Sequence, residues 1–214
     1  IDSIKVDLKC NQEQSNIWYR IIEGATDTVF RTYREPFYID ESSTIEAYTV
    51  SALKAPSPKV RIPFTQMLYH EASELDQVNN GVKYQFFTGS YSSVTQLDIP
   101  VRTGVYSEPD ISIGSLDDGF GFIFKGFIDV PKDGMYTIYL NSDDGSCFYI
   151  HDQLFINNDG RHGTKEERGQ VALRKGLHPF TLKYIENVGD QMLKIEWESM
   201  SIDREKIPVN AWKY

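Results

Sequence analysis

Cysteine is scarce in this sequence, with only Cys10 and Cys147 among 214 residues. Two cysteines cannot supply a disulfide framework, and a structural zinc site takes four ligands from Cys and His, of which the chain has only four His. A bridge between the two would join segments that the strand pattern assigns to different domains. We therefore expect two free thiols that pack as small apolar side chains. Cysteine usage leaves the compartment open.

Long apolar runs and an excess of positive charge are also missing. No run approaches the roughly 20 residues that span a bilayer, so membrane insertion is not expected. Lys and Arg number 22 against 31 Asp and Glu, a net charge of −9, and such a chain has no general attraction to nucleic acid or anionic lipid. The sequence starts at Ile1 without Met or a signal-type segment. We expect it to be a piece of a longer protein.

Aromatic residues are abundant, with 13 Tyr, 12 Phe and 3 Trp beside 15 Gly and 9 Pro. Apolar residues recur at every second position in many short runs, such as Phe180, Leu182 and Tyr184, which is typical of β-strands. The pattern predicts an all-β chain with a small antiparallel sandwich over residues 1–65 and a larger sandwich or barrel over 81–214. Residues 66–80 form either a short helix or an extended linker.

The second predicted domain carries several motifs in a fixed order. They include Asn141-Ser142-Asp143-Asp144-Gly145-Ser146, Leu154-Phe155-Ile156-Asn157-Asn158-Asp159-Gly160 and Leu193-Lys194-Ile195-Glu196-Trp197. With these motifs, residues from about 81 to 212 resemble the lectin-like β-domain family first defined in anthrax protective antigen. The resemblance implies a lectin-like, carbohydrate-binding sandwich. The hairpin at His151-Asp152-Gln153 departs from the family's usual Asp-Gly turn, so we expect its geometry to differ.

The first domain contains Ile17-Trp18-Tyr19-Arg20 and Glu35-Pro36-Phe37-Tyr38-Ile39. These segments resemble the C-terminal β-sandwich of chitobiase and β-hexosaminidase, an Ig/fibronectin-like module. Both modules occur as appendages of secreted bacterial glycoside hydrolases. Their juxtaposition implies a non-catalytic accessory region that presents glycan to an upstream catalytic domain of a hexosaminidase- or fucosidase-like parent. Such a parent would be periplasmic, secreted or attached to the bacterial cell surface.

Asp143 and Asp144 form the candidate metal site. Two hard carboxylate donors on a tight loop suit Ca²⁺, which takes 6–8 oxygen ligands. In the yeast adhesin members of the family, this pair holds a Ca²⁺ that also bonds sugar hydroxyls. The resemblance therefore implies Asn187 as a further calcium ligand, and Asp143, Asp144, Asn187 and Asp190 as carbohydrate-binding residues. An Asp-Asp-Gly turn also caps a hairpin through bonds from the side chains to backbone N–H groups, and both alternatives stay open.

Other residues have a weaker claim to function. We expect the polar loop 157–162 to be structural, whereas Tyr91 and Tyr106 are candidates for stacking on sugar rings. A carboxylate pair such as Asp143 and Glu186 has the chemistry of a glycosidase, but the chain lacks the length and the alternating helices of a (β/α)₈ barrel. We therefore expect no catalysis. The alternatives to glycan presentation are a structural or assembly appendage and a glycan-binding adhesin fragment.

Overall fold

Nearly all the regular structure of the chain is β-strand, as the alternating pattern predicted. The computed structural model describes residues 3–11, 14–24, 29–52 and 54–214. Contacts divide the chain into two units, Ile1–Leu68 and Tyr69–Tyr214. In the described residues, no helix has the length and apolarity needed to cross a bilayer. Within the described residues, no disulfide joins Cys10 and Cys147, and Cys147 is a buried thiol.

The first unit is a small antiparallel β-structure. Its strands are β1 (Ile4–Val6), β2 (Ser15–Ile22), β3 (Arg31–Thr32), β4 (Phe37–Ile39), β5 (Ser43–Ser51) and β6 (Val60–Phe64). Strands β1 and β4 pair with each other, and the other four form a sheet in the order β3-β2-β5-β6. Val6, Ile39 and Ile45 are buried together between these strands. The core of this unit is small because few of its residues are fully buried.

The second unit contains two larger sheets. Its strands are β7 (Val82–Thr88), β8 (Arg102–Tyr106), β9 (Phe120–Val130), β10 (Gly134–Asp143), β11 (Ser146–Ile150), β12 (Gln153–Asn158), β13 (Lys165–Leu173), β14 (Gly176–Glu186), β15 (Met192–Ser199), β16 (Ile202–Lys206) and β17 (Trp212–Lys213). Short 3-10 turns span Val94–Gln96, Ile111–Gly114 and Val209–Ala211. One sheet has the order β12-β11-β14-β9-β7-β8, with β17 beside β9. The other has the order β13-β10-β15-β16.

Both sheets of the second unit bury their inner faces in one apolar core. Phe122 and Phe124 contribute from β9, Leu140 from β10 and Trp197 from β15. Phe122 and Phe124 stack with their ring centroids 5.1 Å apart. Much of the aromatic excess of the sequence is therefore core, and the second unit is a β-sandwich.

The segment that leads into β7, residues 69–81, is extended and lies along the second unit. No helix forms in residues 66–80, all of which the structure describes. The backbone N–H of His70 donates to the carbonyl of Ala172 over 2.9 Å, and that of Ser73 to the carbonyl of Leu177 over 2.7 Å. Of the two alternatives for this segment, the structure has the extended one.

Three histidines hold this leading segment against the β11–β12 hairpin. His151 Nε2 and His178 Nδ1 lie 2.9 Å apart, and His178 Nε2 lies 2.7 Å from the carbonyl oxygen of Arg174. Because a carbonyl only accepts, His178 carries its proton on Nε2 and accepts one from His151. The ring of His70 stacks on that of His151, with centroids 4.9 Å apart. His178 is therefore a neutral imidazole that accepts from His151.

The hairpin turn itself has an unusual backbone. His151 and Asp152 both have positive φ angles, 48° and 60°, which a two-residue turn of the primed type requires and which Asn-Gly or Asp-Gly normally supplies. The sequence predicted that this hairpin would differ from the Asp-Gly form. The bond from His151 to His178 and the stacking with His70 give a physical reason for histidine at this position.

We expect acid to weaken the second unit through this trio. Burial lowers the pKa of His151 and of His178, so both resist protonation when folded. A pKa that is lower in the folded than in the unfolded state means that stability is full above pH 6.5 and falls as the pH drops below it. Denaturant unfolding at pH 5, 6 and 7 should show this fall, and the fall should be smaller in His151→Asn, since Asn tolerates positive φ.

The matched control is Asp98→Asn, which alters an exposed side chain outside the trio. Its free energy of unfolding should keep the pH dependence of the unchanged protein. An equal pH dependence in His151→Asn and in the unchanged protein would show that the trio does not titrate with unfolding.

Candidate functional site

Asp143 and Asp144 lie where β10 ends and the chain turns into β11. The peptide bond between them is cis. Only 8% of Asp143 and 6% of Asp144 is exposed. The hydroxyl of Tyr184, on the neighbouring strand β14, donates to the backbone carbonyl of Asp143. Two buried carboxylates therefore occupy one end of the sandwich, at the edge of its core.

The carboxylate of Asp144 connects three loops. Its Oδ1 accepts the backbone N–H of His162 over 2.9 Å, and its Oδ2 accepts that of Asn187 over 3.0 Å. His162 belongs to the loop between β12 and β13, and Asn187 follows directly after β14. Bonds from backbone N–H groups to an ionised carboxylate are among the stronger hydrogen bonds in proteins. Asp144 thus fixes the two loops around the turn that carries it.

The carboxylate of Asp143 accepts fewer hydrogen bonds from the protein than that of Asp144. Its Oδ2 accepts the hydroxyl of Thr164 over 3.2 Å. Within the described part of the chain, no group donates a hydrogen bond to its Oδ1. A carboxylate oxygen has two acceptor positions, so Asp143 retains most of its capacity for a ligand.

Glu186 lies beside the aspartate pair and is fully buried. Its Oε2 is 3.1 Å from the hydroxyl of Tyr184, and its Oε1 has no partner in the described structure. Burial, with a smaller contribution from the nearby charges of Asp144 and Asp143, raises the pKa of the Glu186 carboxyl to about 7. The Tyr184 hydroxyl has one proton and lies near both the Asp143 carbonyl and Glu186 Oε2, so it can satisfy only one of them fully.

The structure brings one more predicted site residue to this end of the sandwich. Asn187 approaches Asp144 through its backbone, whereas its side-chain Oδ1 accepts the hydroxyl of Ser90 over 2.6 Å. Asp190 lies three residues further along the same loop and is exposed. In the described residues, no three Asp, Glu, His or Cys side chains are arranged to hold a metal ion by themselves. Any cation here needs amide, carbonyl or ligand oxygens as well.

Comparison with known proteins identifies the family of the second unit. The family model described as the PA14 domain matches residues 81–211, which is more than half of the chain. The chain belongs to the PA14 domain family. No curated protein matches the chain. The predicted resemblance over residues 81–212 is confirmed for the PA14 domain, and that of residues 1–65 to a chitobiase-type domain stays a prediction.

Solved structures share the fold at low sequence identity. An anti-sigma factor domain-containing protein from Clostridium clariflavum is 19% identical with a TM-score of 0.51, over 98% of this chain and 82% of that one. A PA14 sugar-binding domain from an RTX adhesin is 16% identical with a TM-score of 0.50, over 63% of this chain and 98% of that one. A subtype-switched epithelial adhesin A domain from Candida glabrata, in complex with β-lactose, is 10% identical with a TM-score of 0.52, over 67% and 90%. These similarities establish the fold.

The polar loop 157–162 of the PA14 domain has the structural role that its composition predicted. Asp159 accepts the backbone N–H of Val94 over 2.8 Å and the hydroxyl of Ser93 over 2.6 Å. Asn158 is buried and donates to Ser142 and to the carbonyl of Lys165, each over 3.0 Å. These bonds hold the loops beside the aspartate pair in place.

Sequence reasoning missed several residues at this end of the PA14 domain. Tyr184 was assigned only to the core, although its position two residues before Glu186 on one strand gives both side chains the same face. Arg161 donates to the carbonyl of Tyr91 over 3.0 Å and to Ser90 over 3.1 Å, and no local signal indicates that contact. Of the predicted stacking residues, Tyr91 is half-buried and bonds Thr88, and Tyr106 is 40% exposed.

Glu186 should make the PA14 domain less stable as the pH rises. Its pKa is about 7 in the folded state and 4.5 for an ordinary glutamate, so the protonated form is favoured on folding. The resulting stability is full below pH 4.5 and is lost as the pH rises through 7, by up to about 3 kcal/mol. Glu186→Gln should remove this loss in denaturant unfolding between pH 5 and 8.

Glu74→Gln is the matched control, because Glu74 is exposed. It should leave the pH dependence unchanged. A free energy of unfolding that falls equally toward pH 8 in Glu186→Gln and in the unchanged protein would contradict the assignment to Glu186. The histidine effect has the opposite sign over an overlapping pH range, so the two contributions are separated by comparing His151→Asn and Glu186→Gln each with the unchanged protein.

Proposed function

We propose that the PA14 domain binds a glycan, without catalysis, at the end of the sandwich that carries Asp143 and Asp144. The observation that carries this proposal is a pair of buried carboxylates, of which Asp144 is held by backbone N–H groups from two other loops, beside the unpartnered Oε1 of Glu186. Buried acceptors without donors are costly unless a ligand satisfies them. The lactose complex of an adhesin A domain that shares this fold also supports a sugar as the ligand.

We further propose Ca²⁺ as the cofactor of this site. Asp143 and Asp144 supply hard oxygen donors on one turn, and Asp143 Oδ1 accepts no bond within the described residues. In the structure, the amide oxygen of Asn187 accepts from Ser90, so it would have to turn to become a ligand. A bound Ca²⁺ would supply positive charge to sugar hydroxyls, while Asp144 keeps the two neighbouring loops in position.

Two parent proteins fit this binding module. The first is a secreted or cell-surface bacterial glycoside hydrolase, hexosaminidase- or fucosidase-like, in which the chain presents glycan to an upstream catalytic domain. The second is a signalling protein, supported by the anti-sigma factor domain-containing protein from Clostridium clariflavum, whose similarity extends over 98% of this chain. In that case, glycan binding at the same site would signal the presence of extracellular glycan instead of supplying substrate to a catalytic domain.

Glycan-array screening followed by calorimetric titration should test the site. We expect at least one neutral oligosaccharide to bind in the presence of Ca²⁺, and we expect this binding to be lost in EDTA. Asp143→Asn should weaken this binding by about tenfold or more, because it removes a ligand charge and keeps an acceptor for Thr164. Asp117→Asn, at an exposed position in a turn, should bind as the unchanged protein does.

Different outcomes would refute the calcium site and the glycan binding. Binding that persists in EDTA and in Asp143→Asn would refute the calcium site. Absence of binding to every neutral glycan on the array, with Ca²⁺ present, would refute glycan binding at this end of the PA14 domain.

A further inference from the structure

The larger sheet of the PA14 domain packs one face in the core, and its other face, the outer face, does not contribute to that core. Val82, Phe124 and Leu182 point into the core from β7, β9 and β14. Side chains alternate between the two faces of a strand, so the lysines next to them, Lys83, Lys125 and Lys183, lie on the outer face. Lys83 and Lys125 are exposed, and Lys183 is half-buried.

Strand register arranges the outer side chains in two adjacent rows across the sheet. The first row runs through Val105, Lys83, Lys125, Thr181 and Tyr149, and the second through Thr103, Gln85, Ile123, Lys183 and Cys147. The two rows together cross five strands, but Ile123 and Cys147 are buried, Cys147 against Val94 and Ile185. The accessible part lies over β8, β7, β9 and β14, about 14 Å at the usual strand spacing. We use the name basic stripe for six of these residues: Lys83, Gln85, Thr103, Lys125, Thr181 and Lys183.

The positive charges of the basic stripe have no acidic partners. In the part of the chain that the structure describes, none of the three lysines forms an ion pair. Lys83 stands directly opposite Lys125, and like charges in that position destabilise a sheet. The carboxylate nearest along the strand on this face, Asp129, is four residues from Lys125, about 13 Å away. The stripe is thus a local positive surface on a chain of net charge −9.

Aromatic rings and a depression shape this surface. The ammonium group of Lys83 lies 5.7 Å from the centre of the Tyr214 ring, and that of Lys183 lies 5.5 Å from the Tyr149 ring. A depression of about 380 Å³ opens between β7, β8 and β9, with Ile123 and Val105 among the residues that line it. Lys83 and Lys125 therefore line a shallow, partly apolar depression.

We infer that the basic stripe is a second glycan-binding surface of this domain, and that its ligand is an acidic polysaccharide that carries carboxylates. The three ammonium groups complement carboxylates along an extended chain. Gln85, Thr103 and Thr181 supply amide and hydroxyl groups for the remaining sugar hydroxyls. The stripe contains no arginine, the residue suited to bidentate phosphate binding, and the net negative charge of the chain opposes long polyphosphates.

This surface is independent of the proposed calcium site. It shares no residue with the aspartate pair, and its attraction to the ligand comes from lysine charges rather than from a bound cation. Binding to the stripe should therefore weaken as salt rises, because exposed charges are screened. It should not need Ca²⁺.

The test is calorimetric titration of the full chain with oligogalacturonate, in EDTA throughout. We expect binding that weakens between 50 and 300 mM salt, a range over which the Debye length falls from about 14 to 6 Å. The triple variant Lys83→Gln, Lys125→Gln, Lys183→Gln should bind roughly tenfold more weakly. The fully methyl-esterified oligomer has the same backbone without charge. The unchanged protein should bind this ester no more tightly than the triple variant binds the acidic oligomer.

Three controls make the result specific. A second triple variant carries Lys132→Gln, Lys175→Gln and Lys206→Gln, which change the net charge by the same amount at positions outside the stripe. Its affinity for the acidic oligomer should be unchanged. Asp143→Asn should also bind the acidic oligomer normally, which distinguishes this surface from the calcium site. Equal weakening by both lysine triples, equal affinity for the methyl ester or for single-stranded DNA of similar length, or no binding at all would each overturn the inference.

Discussion

The two hydrogen bonds that Asp144 accepts from the backbone of His162 and Asn187 set the geometry at one end of the PA14 domain. They join loops that leave three different strands, and they involve main-chain donors whose positions follow directly from those strands. A carboxylate that is 6% exposed needs such hydrogen-bond donors to offset the cost of its burial. The surroundings of Asp143, Glu186 and Asn187 all depend on this arrangement.

The sandwich tolerates an incomplete polar network at the same end. Tyr184 lies in the core and still directs its hydroxyl to Asp143 and Glu186, while Glu186 Oε1 and Asn158 Oδ1 have no partner in the described residues. A core built only for stability would replace such groups with apolar ones. Their retention next to two acceptor-rich aspartates is the physical argument for a ligand at this end.

The two faces of the larger sheet use strand alternation for different purposes. Its inner positions bury aromatic rings against the second sheet, and its outer positions collect lysines without ion pairs. The net charge of −9 for the whole chain does not reveal the positive surface on the outer face. That surface arises only because strand register brings lysines from separate strands together. The acidic excess lies elsewhere on the surface of the protein.

The sequence by itself determined the all-β class, the extent of the PA14 domain and the adjacent carboxylates, because alternation and turn motifs are local properties of the chain. It also indicated that Asn187 belongs near Asp144, through a motif. Only the tertiary structure decided that Asn187 reaches Asp144 by its backbone, that Glu186 is buried beside Tyr184, and that His70 stacks on His151. Register between distant strands decided the juxtaposition of Lys83, Lys125 and Lys183. Register and loop contacts follow from packing over the whole domain, which no short stretch of sequence encodes.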